Sequence, residues 1–448
     1  MRPRPSPHPA AISAAIVTAF GAAALLWCLG FFARMPPFVW PSPLLAGVFV
    51  LVWIGAGRFA ARQGGGWPAA VGAGLALAVL NLLILGSLLT GDEPNELLPS
   101  AVLWVPGFLA AGAALGAVGG ALARGAPASR SEAEWTALLA RIAATATLAL
   151  VFVGGLVTSR EAGLAVVDWP NSYGYHMFLY PLSRMTGGVY YEHAHRLFGS
   201  LVGLTTLALA ARILRFDARG SVKLLAIGAV VLVIGQGILG GLRVTGHFTW
   251  SDSPDVTRPN LTLAMVHGVA GQVFFAWMVA IAAVCSRTWR ERTGARTDDG
   301  AGTDRSLAAT LLVVLVVQLI LGVRARHLGE GVMAHMTFAV VVLGVAVALA
   351  ARLVARNEDI RALRSSGAAL LGHVGTQVVL GFLAYVAVAR RGDAPDPTSF
   401  EVWIATLHQT VGSLLFANAA LVLLWTHRLV APLTAAPPAP SIPASERS

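Results

Sequence analysis

Four histidines, His195, His267, His335 and His408, stand inside long apolar runs of the sequence. Ionisable side chains are costly in hydrocarbon, so each is a functional candidate in search of a partner. They are also in register with one another. Sliding the sequence by 140 residues puts His195 on His335, and by 141 puts Gln236 on Gln377, Gly240 on Gly381, His267 on His408 and Gly271 on Gly412. The repeat pairs His195 with His267 and His335 with His408. Neutral imidazole ligates iron well, and two imidazoles from facing helices of a bundle can hold a heme edge-on between them. Small residues follow, as in His267-Gly268-Val269-Ala270-Gly271 and His408-Gln409-Thr410-Val411-Gly412, which leaves room for a flat macrocycle near the backbone. For any one histidine alone, a hydrogen bond to a neighbouring helix is the commoner role; four in register favour ligation.

Glu192 precedes His195 by three residues in Tyr190-Tyr191-Glu192-His193-Ala194-His195-Arg196, a spacing that puts carboxylate and imidazole on one helix face. There it is a candidate proton donor or substrate clamp, and the plainer reading is an interfacial carboxylate paired with Arg196. The second repeat has Glu330 five residues before His335, which does not reproduce the motif. One half is therefore expected to do chemistry and the other to hold a cofactor. The connection from Thr158 to Tyr191 is the longest on its side and carries Asp168-Trp169-Pro170 and Asn171-Ser172-Tyr173-Gly174-Tyr175. Long loops of this kind are often functional lids; a Trp- and Tyr-rich interfacial segment is the competing view. Gln236 and Gln377 read as residues that join helices. His8, His176, His193, His247, His327, His373 and His427 are not assigned as iron ligands.

The elements that must position these residues follow from composition. Of 448 residues, 56% are hydrophobic and 12% charged, with a mean hydropathy of +0.70, so the solvent of this fold is lipid. Apolar segments of about 20 residues recur from Ile12 to Trp425, and we count about twelve. They lack the alternation of barrel strands, which leaves an all-α polytopic membrane protein. The formal charge of +10 does not mark a nucleic-acid surface, because the arginines are spread over alternate loops. Arg2, Arg4, Arg58, Arg62, Arg124, Arg130, Arg212, Arg215, Arg219, Lys223, Arg287, Arg290, Arg292, Arg296, Arg305, Arg352, Arg356, Arg361, Arg364 and Arg428 share one side. By the positive-inside rule that side is cytoplasmic, both termini are inside, and the four histidines lie near the outer face of the cell (inner) membrane. Cys28 and Cys285 form no motif.

A polar stretch at residues 124–135 divides the chain. Residues 1–125 form a four-helix extension with no histidine or central charge in its apolar runs, including the outer connector Gly91-Asp92-Glu93-Pro94-Asn95-Glu96. Eight helices follow as a duplicated four-helix-bundle core, 137–284 and 306–428. The helices are expected near 137–157, 194–213, 224–242, 261–284, 307–323, 332–353, 368–389 and 402–425. An even number of passes keeps orientation, so all four histidines should share one depth, about 5 to 10 Å below the surface.

The eight-helix core, the Glu-x-x-His-Arg motif opening its second helix, the preceding Asp-Trp-Pro loop and single histidines in the fourth, sixth and eighth helices together resemble the heme A synthase family of cytochrome oxidase assembly. The resemblance covers about residues 137–428, is most specific at Tyr191-Glu192-His193-Ala194-His195-Arg196-Leu197, and leaves the first 125 residues outside it. It implies an enzyme that oxidises the C8 methyl of heme O to the formyl group of heme A with a resident heme b. It implies that His335 and His408 ligate heme b, that His195 and His267 flank the substrate heme iron, and that Glu192 is the essential acidic residue. It further implies heme O as substrate and an external electron donor, with heme O synthase, cytochrome oxidase assembly factors and a homo-oligomer left open as partners. The cysteine pair that some members carry before the Glu-x-x-His motif is missing here, which removes a thiol role from that loop. A bis-heme b electron-transfer cytochrome and a heme carrier or transporter are the alternatives.

Overall fold

The computed structural model describes residues 7–91, 93–125, 128–245, 261–291, 294–392 and 396–433. Arg2, Arg4, Asp92, His247 and Arg292, named above, lie outside the described residues.

Twelve long helices account for most of the described chain: α1 Pro7–Arg34, α2 Ser42–Ala60, α3 Gly66–Leu85, α4 Ala101–Ala121, α5 Glu132–Ser159, α6 Gly187–Phe216, α7 Gly220–Thr245, α8 Leu261–Cys285, α9 Ala301–Leu328, α10 Val332–Arg356, α11 Arg361–Arg391 and α12 Ser399–Leu429. Among the described residues, 11 segments are long and apolar enough to cross a membrane, and one of them, Ser42–Leu89, has 48 residues. At a rise of about 1.5 Å per residue that is more than twice the hydrocarbon thickness. It folds back at Ala61–Gly65, where Gln63 (φ −88°, ψ 25°) and Gly64 (φ 93°, ψ −3°) leave the helical path. The segment is therefore α2 and α3, and the protein is an all-α polytopic membrane protein.

Local chemistry sets several helix ends. Ser131 and Glu134 make a reciprocal capping box at the start of α5, Ser131 N–H donating to Glu134 Oε2 at 2.8 Å and Glu134 N–H to Ser131 Oγ at 3.3 Å. Thr398 Oγ1 accepts from Glu401 N–H at 3.2 Å at the start of α12. α9 and α10 are joined by Gly329 (φ 69°), Glu330 and Gly331 (φ 75°), a reversal with left-handed glycines on either side.

Packing divides the helices into three bundles. α1–α4 pack among themselves; α5–α8 close into a ring in which each helix touches the next and α8 returns to α5; α9–α12 do the same. The two rings meet along α5, α8, α9 and α12. In each ring the histidine-bearing helices, α6 and α8 or α10 and α12, are diagonal, so their inward faces meet at the ring's centre. α1–α4 pack mainly through α1 on α5, with smaller contacts of α1 and α3 on α6. Lipid gives no hydrophobic drive between helices, and α1–α4 use close backbone approach instead. A Cβ on Gly57 would lie 2.3 Å from the Gly116 carbonyl oxygen, and one on Gly74 2.1 Å from that of Gly112.

Candidate functional site

The structure brings the four histidines together in the two expected pairs. The His195 and His267 ring centroids lie 6.3 Å apart with an interplanar angle of 86°. Those of His335 and His408 lie 6.3 Å apart at 83°. Each ring rests on a glycine of the helix that precedes its own. A Cβ on Gly154 of α5 would come within 2.9 Å of His195 Cε1, and one on Gly240 of α7 within 3.4 Å of His267 Cε1. A Cβ on Gly322 of α9 or Gly381 of α11 would come within 2.9 Å of His335 or His408 Cε1. In all four, the Cε1–Nδ1 edge faces the glycine and Nε2 is the farthest of the three atoms. Within a ring, two diagonal helices thus supply imidazoles and the other two supply flat backbone beside them.

Four residues before each glycine stands a residue whose backbone faces the ring: Leu150, Gln236, Gln318 and Gln377. His335 Nδ1 lies 3.2 Å from the Gln318 carbonyl oxygen, whereas Nδ1 of His195, His267 and His408 is buried without a hydrogen-bond partner. In the second ring, Gln318 Nε2 and Gln377 Nε2 also approach Nε2 of His335 and His408, at 3.5 Å and 3.4 Å. Gln377 lies against Gly412, and Gln236 against Gly271. The glutamines join helices and, in the second ring, reach the imidazoles as well.

The spacing tests what each pair can hold. Metal–imidazole bonds are about 2.0 to 2.1 Å, and with a ring nitrogen roughly 1.1 Å from its centroid, a metal held between two imidazoles separates the centroids by about 6.3 Å. Among the described residues, no group of three or more His, Cys, Asp or Glu side chains could hold a bare metal ion. Two imidazoles leave equatorial positions that a tetrapyrrole fills by itself, and the bare glycine backbone beside each ring suits a flat group. The residues present fit a heme in either pair.

The rings differ at the end where the histidines lie. Residues 160–186 cross that end of the first ring, and α6 begins at Gly187, seven residues earlier than the hydrophobic pattern suggests. Polar residues Tyr190, Tyr191, Glu192 and His193 are helical because the loop and α1 bury them. The histidines accordingly stand 3 to 9 residues inside α6, α8, α10 and α12, about 5 to 14 Å along each helix.

Glu192, 4% exposed, accepts Val166 N–H through Oε2 at 2.9 Å and Arg196 through Oε1 at 3.1 Å. Arg196 also donates to the carbonyl oxygens of Val166, Asp168 and Asn171 at 2.7–2.8 Å. Asp168 accepts from the N–H groups of Tyr173 and Gly174. Ser172 and His193, both buried, share a 3.0 Å hydrogen bond. Trp169 covers Gly241 of α7, and Arg243 lies on Gly163. Both readings of Glu192 thus meet in one residue, a carboxylate one helical turn from His195 that is ion-paired with Arg196 and ties down the loop. Glu330 is exposed and pairs with Arg324 at 3.0 Å.

The N-terminal bundle holds the loop from its other side. Asn95, between α3 and α4, donates to Gly174 O at 3.0 Å and accepts His176 N–H at 2.5 Å. Thr90 Oγ1 donates to Leu179 O at 2.7 Å. Phe31 of α1 stacks on Tyr190 with centroids 5.3 Å apart, and the Tyr190 hydroxyl donates to Phe31 O.

Sequence reasoning did not single out Gly154, Gly322, Gln318, Ser172 or Arg243. Gly154 and Gly322 escape because the long loop shifts the first helix of each ring by 168 residues, outside the register that aligns the other helices.

Residues 137–334 match the cytochrome oxidase assembly protein family. No curated protein matches the chain. The match contains the Tyr191–Leu197 segment, His195 and His267, and ends one residue before His335. It bears out the resemblance to the heme A synthase family and supports a role in cytochrome oxidase assembly and heme A synthesis.

Proposed function

We propose that the protein is a heme A synthase that oxidises the C8 methyl of heme O to the formyl group of heme A. The observation that carries this reading is the inequality of two otherwise matched imidazole pairs. Both have centroids 6.3 Å apart, yet only the first has a buried carboxylate, Glu192, within one helical turn of a histidine and beneath a loop tied to it; the buried carboxylate of the second ring, Glu401, stands seven residues before His408 and faces Arg391. Two permanent electron carriers would need no such difference.

In this reading His335 and His408 would hold heme b, with the Gln318 carbonyl oxygen 3.2 Å from His335 Nδ1, and His195 and His267 would flank the substrate heme. Heme iron, when bound, supplies the oxygen-level oxidising equivalents that an unactivated methyl requires and that no side chain has. The chain's own residues supply position and protonation. Gly154 and Gly240 let the substrate's flat face approach the backbone. The loop at 160–186 keeps water from that end of the ring. Glu192 accepts one hydrogen bond on each oxygen, which fixes the carboxylate in place and leaves lone pairs on which it can take or release a proton. Electrons come from an outside donor. The arginine distribution orients the histidine ends toward the outer face of the cell membrane.

The equal spacing of the pairs favours one other reading, a bis-heme b electron-transfer cytochrome. Pigment extraction separates them: heme O or heme A beside heme b supports the synthase, and heme b alone in both sites supports the cytochrome. Co-expression with a heme O source in a host lacking its own synthase, scored for heme A, tests the activity directly; no heme A would refute it.

A further inference from the structure

Every helix that offers a glycine to an imidazole continues toward the loop end into arginine: Arg160 follows Gly154, Arg243 follows Gly240, Arg324 and Arg326 follow Gly322, and Arg390 and Arg391 follow Gly381. In the second ring Arg324, Arg326 and Arg391 have protein partners. Arg324 pairs with Glu330 at 3.0 Å, Arg326 donates to Thr158 O at 2.6 Å, and Arg391 lies 3.5 Å from Glu161 and 3.4 Å from Glu401. In the first ring neither Arg160 nor Arg243 has a side-chain hydrogen bond or ion pair among the described residues, and the Nε of each is sealed from solvent without a partner. Arg160 stacks over Tyr191, its guanidinium carbon 5.5 Å from the ring centroid. Arg243 is pressed on Gly163 of the loop, so close that a Cβ there would be 2.1 Å from Nη2.

Arg243 feels the charge of Glu192, but the hydrogen bonds of that carboxylate go to Arg196 and Val166; two half-buried guanidinium groups at one end of one bundle, each without a hydrogen-bonded anion, are costly and suit a ligand with negative charge there. Their placement says which. α5 and α7 are the diagonal not used by the histidines, so a flat ring held between His195 and His267 lies along the α5–α7 direction. Arg243 is three residues and Arg160 six residues beyond the supporting glycine, about 5 and 9 Å nearer the loop. A heme carries two propionate carboxylates on one edge. We propose that Arg160 and Arg243 are a carboxylate clamp for the two propionates of the heme taken by the first ring, which sets that heme's orientation beneath the loop. The clamp rests on the reading of His195 and His267 as a heme site.

The full-length protein, with heme already in its second ring, is titrated with heme b and with heme b dimethyl ester, and the absorption change that disappears in His195→Ala is read. The wild type should bind the free acid at least about tenfold more tightly than the diester, as expected for charge-assisted hydrogen bonds. Arg243→Gln and Arg160→Gln should each lose most of that preference by weakening the acid while leaving the diester unchanged, and Arg243→Lys should retain part of it. The same acid-to-diester ratio in the wild type and both glutamine variants would overturn the clamp alone. No His195-dependent binding of either probe to the wild type would overturn the heme site and the clamp with it. Should a variant lose the second-ring spectrum and so report misfolding, the wild-type ratio decides the matter: equal affinity for acid and diester refutes the clamp.

Discussion

Gly381→Ala is the sharpest probe of how an imidazole is held. The added Cβ would lie 2.9 Å from His408 Cε1 and 3.5 Å from Nδ1. Carbon atoms in contact prefer about 3.5 to 4.0 Å, so the ring must withdraw by roughly 0.6 Å or more. A metal–nitrogen bond of about 2 Å cannot absorb that change, and the strain falls on the pair's 6.3 Å spacing. Overpacking of this kind costs about 1 to 3 kcal/mol, which corresponds to roughly 5- to 150-fold weaker heme retention. Alanine is also the better helix former by about 1 kcal/mol, so a loss would not come from α11 itself. Gly375→Ala on the same helix is the control, since a Cβ there meets nothing within 4 Å. The assay is the rate of heme transfer to a soluble scavenger, with the reduced-minus-oxidised spectrum of the purified protein. Heme loss at the wild-type rate with an unchanged spectrum, or equal acceleration by Gly375→Ala, would refute the seating of His408 on Gly381.

Three further outcomes follow from the geometry. Glu192→Ala should abolish conversion of heme O and leave the second-ring heme spectrum intact, while Glu192→Gln, whose single amide oxygen can still accept from Arg196 or Val166, should leave the loop better protected than the alanine variant does and still lose activity; activity in the glutamine variant would make Glu192 a structural tether only. His408→Ala should remove the b-type absorption of the second ring, and its persistence would end the assignment of that pair. Asn95→Ala deletes two hydrogen bonds to the loop, each worth about 0.5 to 1.5 kcal/mol. Amide exchange at Gly174–Leu179 should then quicken several-fold with the second-ring spectrum unaltered, and unchanged exchange would mean the N-terminal bundle does not steady the loop.

The chain's own order of residues determined a good deal. Lipid as solvent follows from composition. The twelve helices follow from run length, because a backbone in hydrocarbon has almost no alternative. The histidine pairs were legible because ionisable residues are rare in apolar runs, so four in register stand out. Glu192 stood out for the same reason, through its place three residues before His195.

What only the tertiary structure decided concerns residues that carry no chemical mark. With 48 glycines in the chain, nothing in Gly154 or Gly322 announces an imidazole resting on it; that role belongs to the distance between two helices. The start of α6 was hidden because Tyr190–His193 look too polar for a membrane helix, and only the loop and α1 packed against them supply the burial and hydrogen bonds that make helix the stable choice there. The same holds for the first four helices. Their sequence is chemically quiet, and their grip on the loop through Thr90, Asn95 and Phe31 exists only once three bundles are packed side by side. Side-chain type is local and can be read along the chain, whereas close approach and missing partners are properties of pairs that folding brings together.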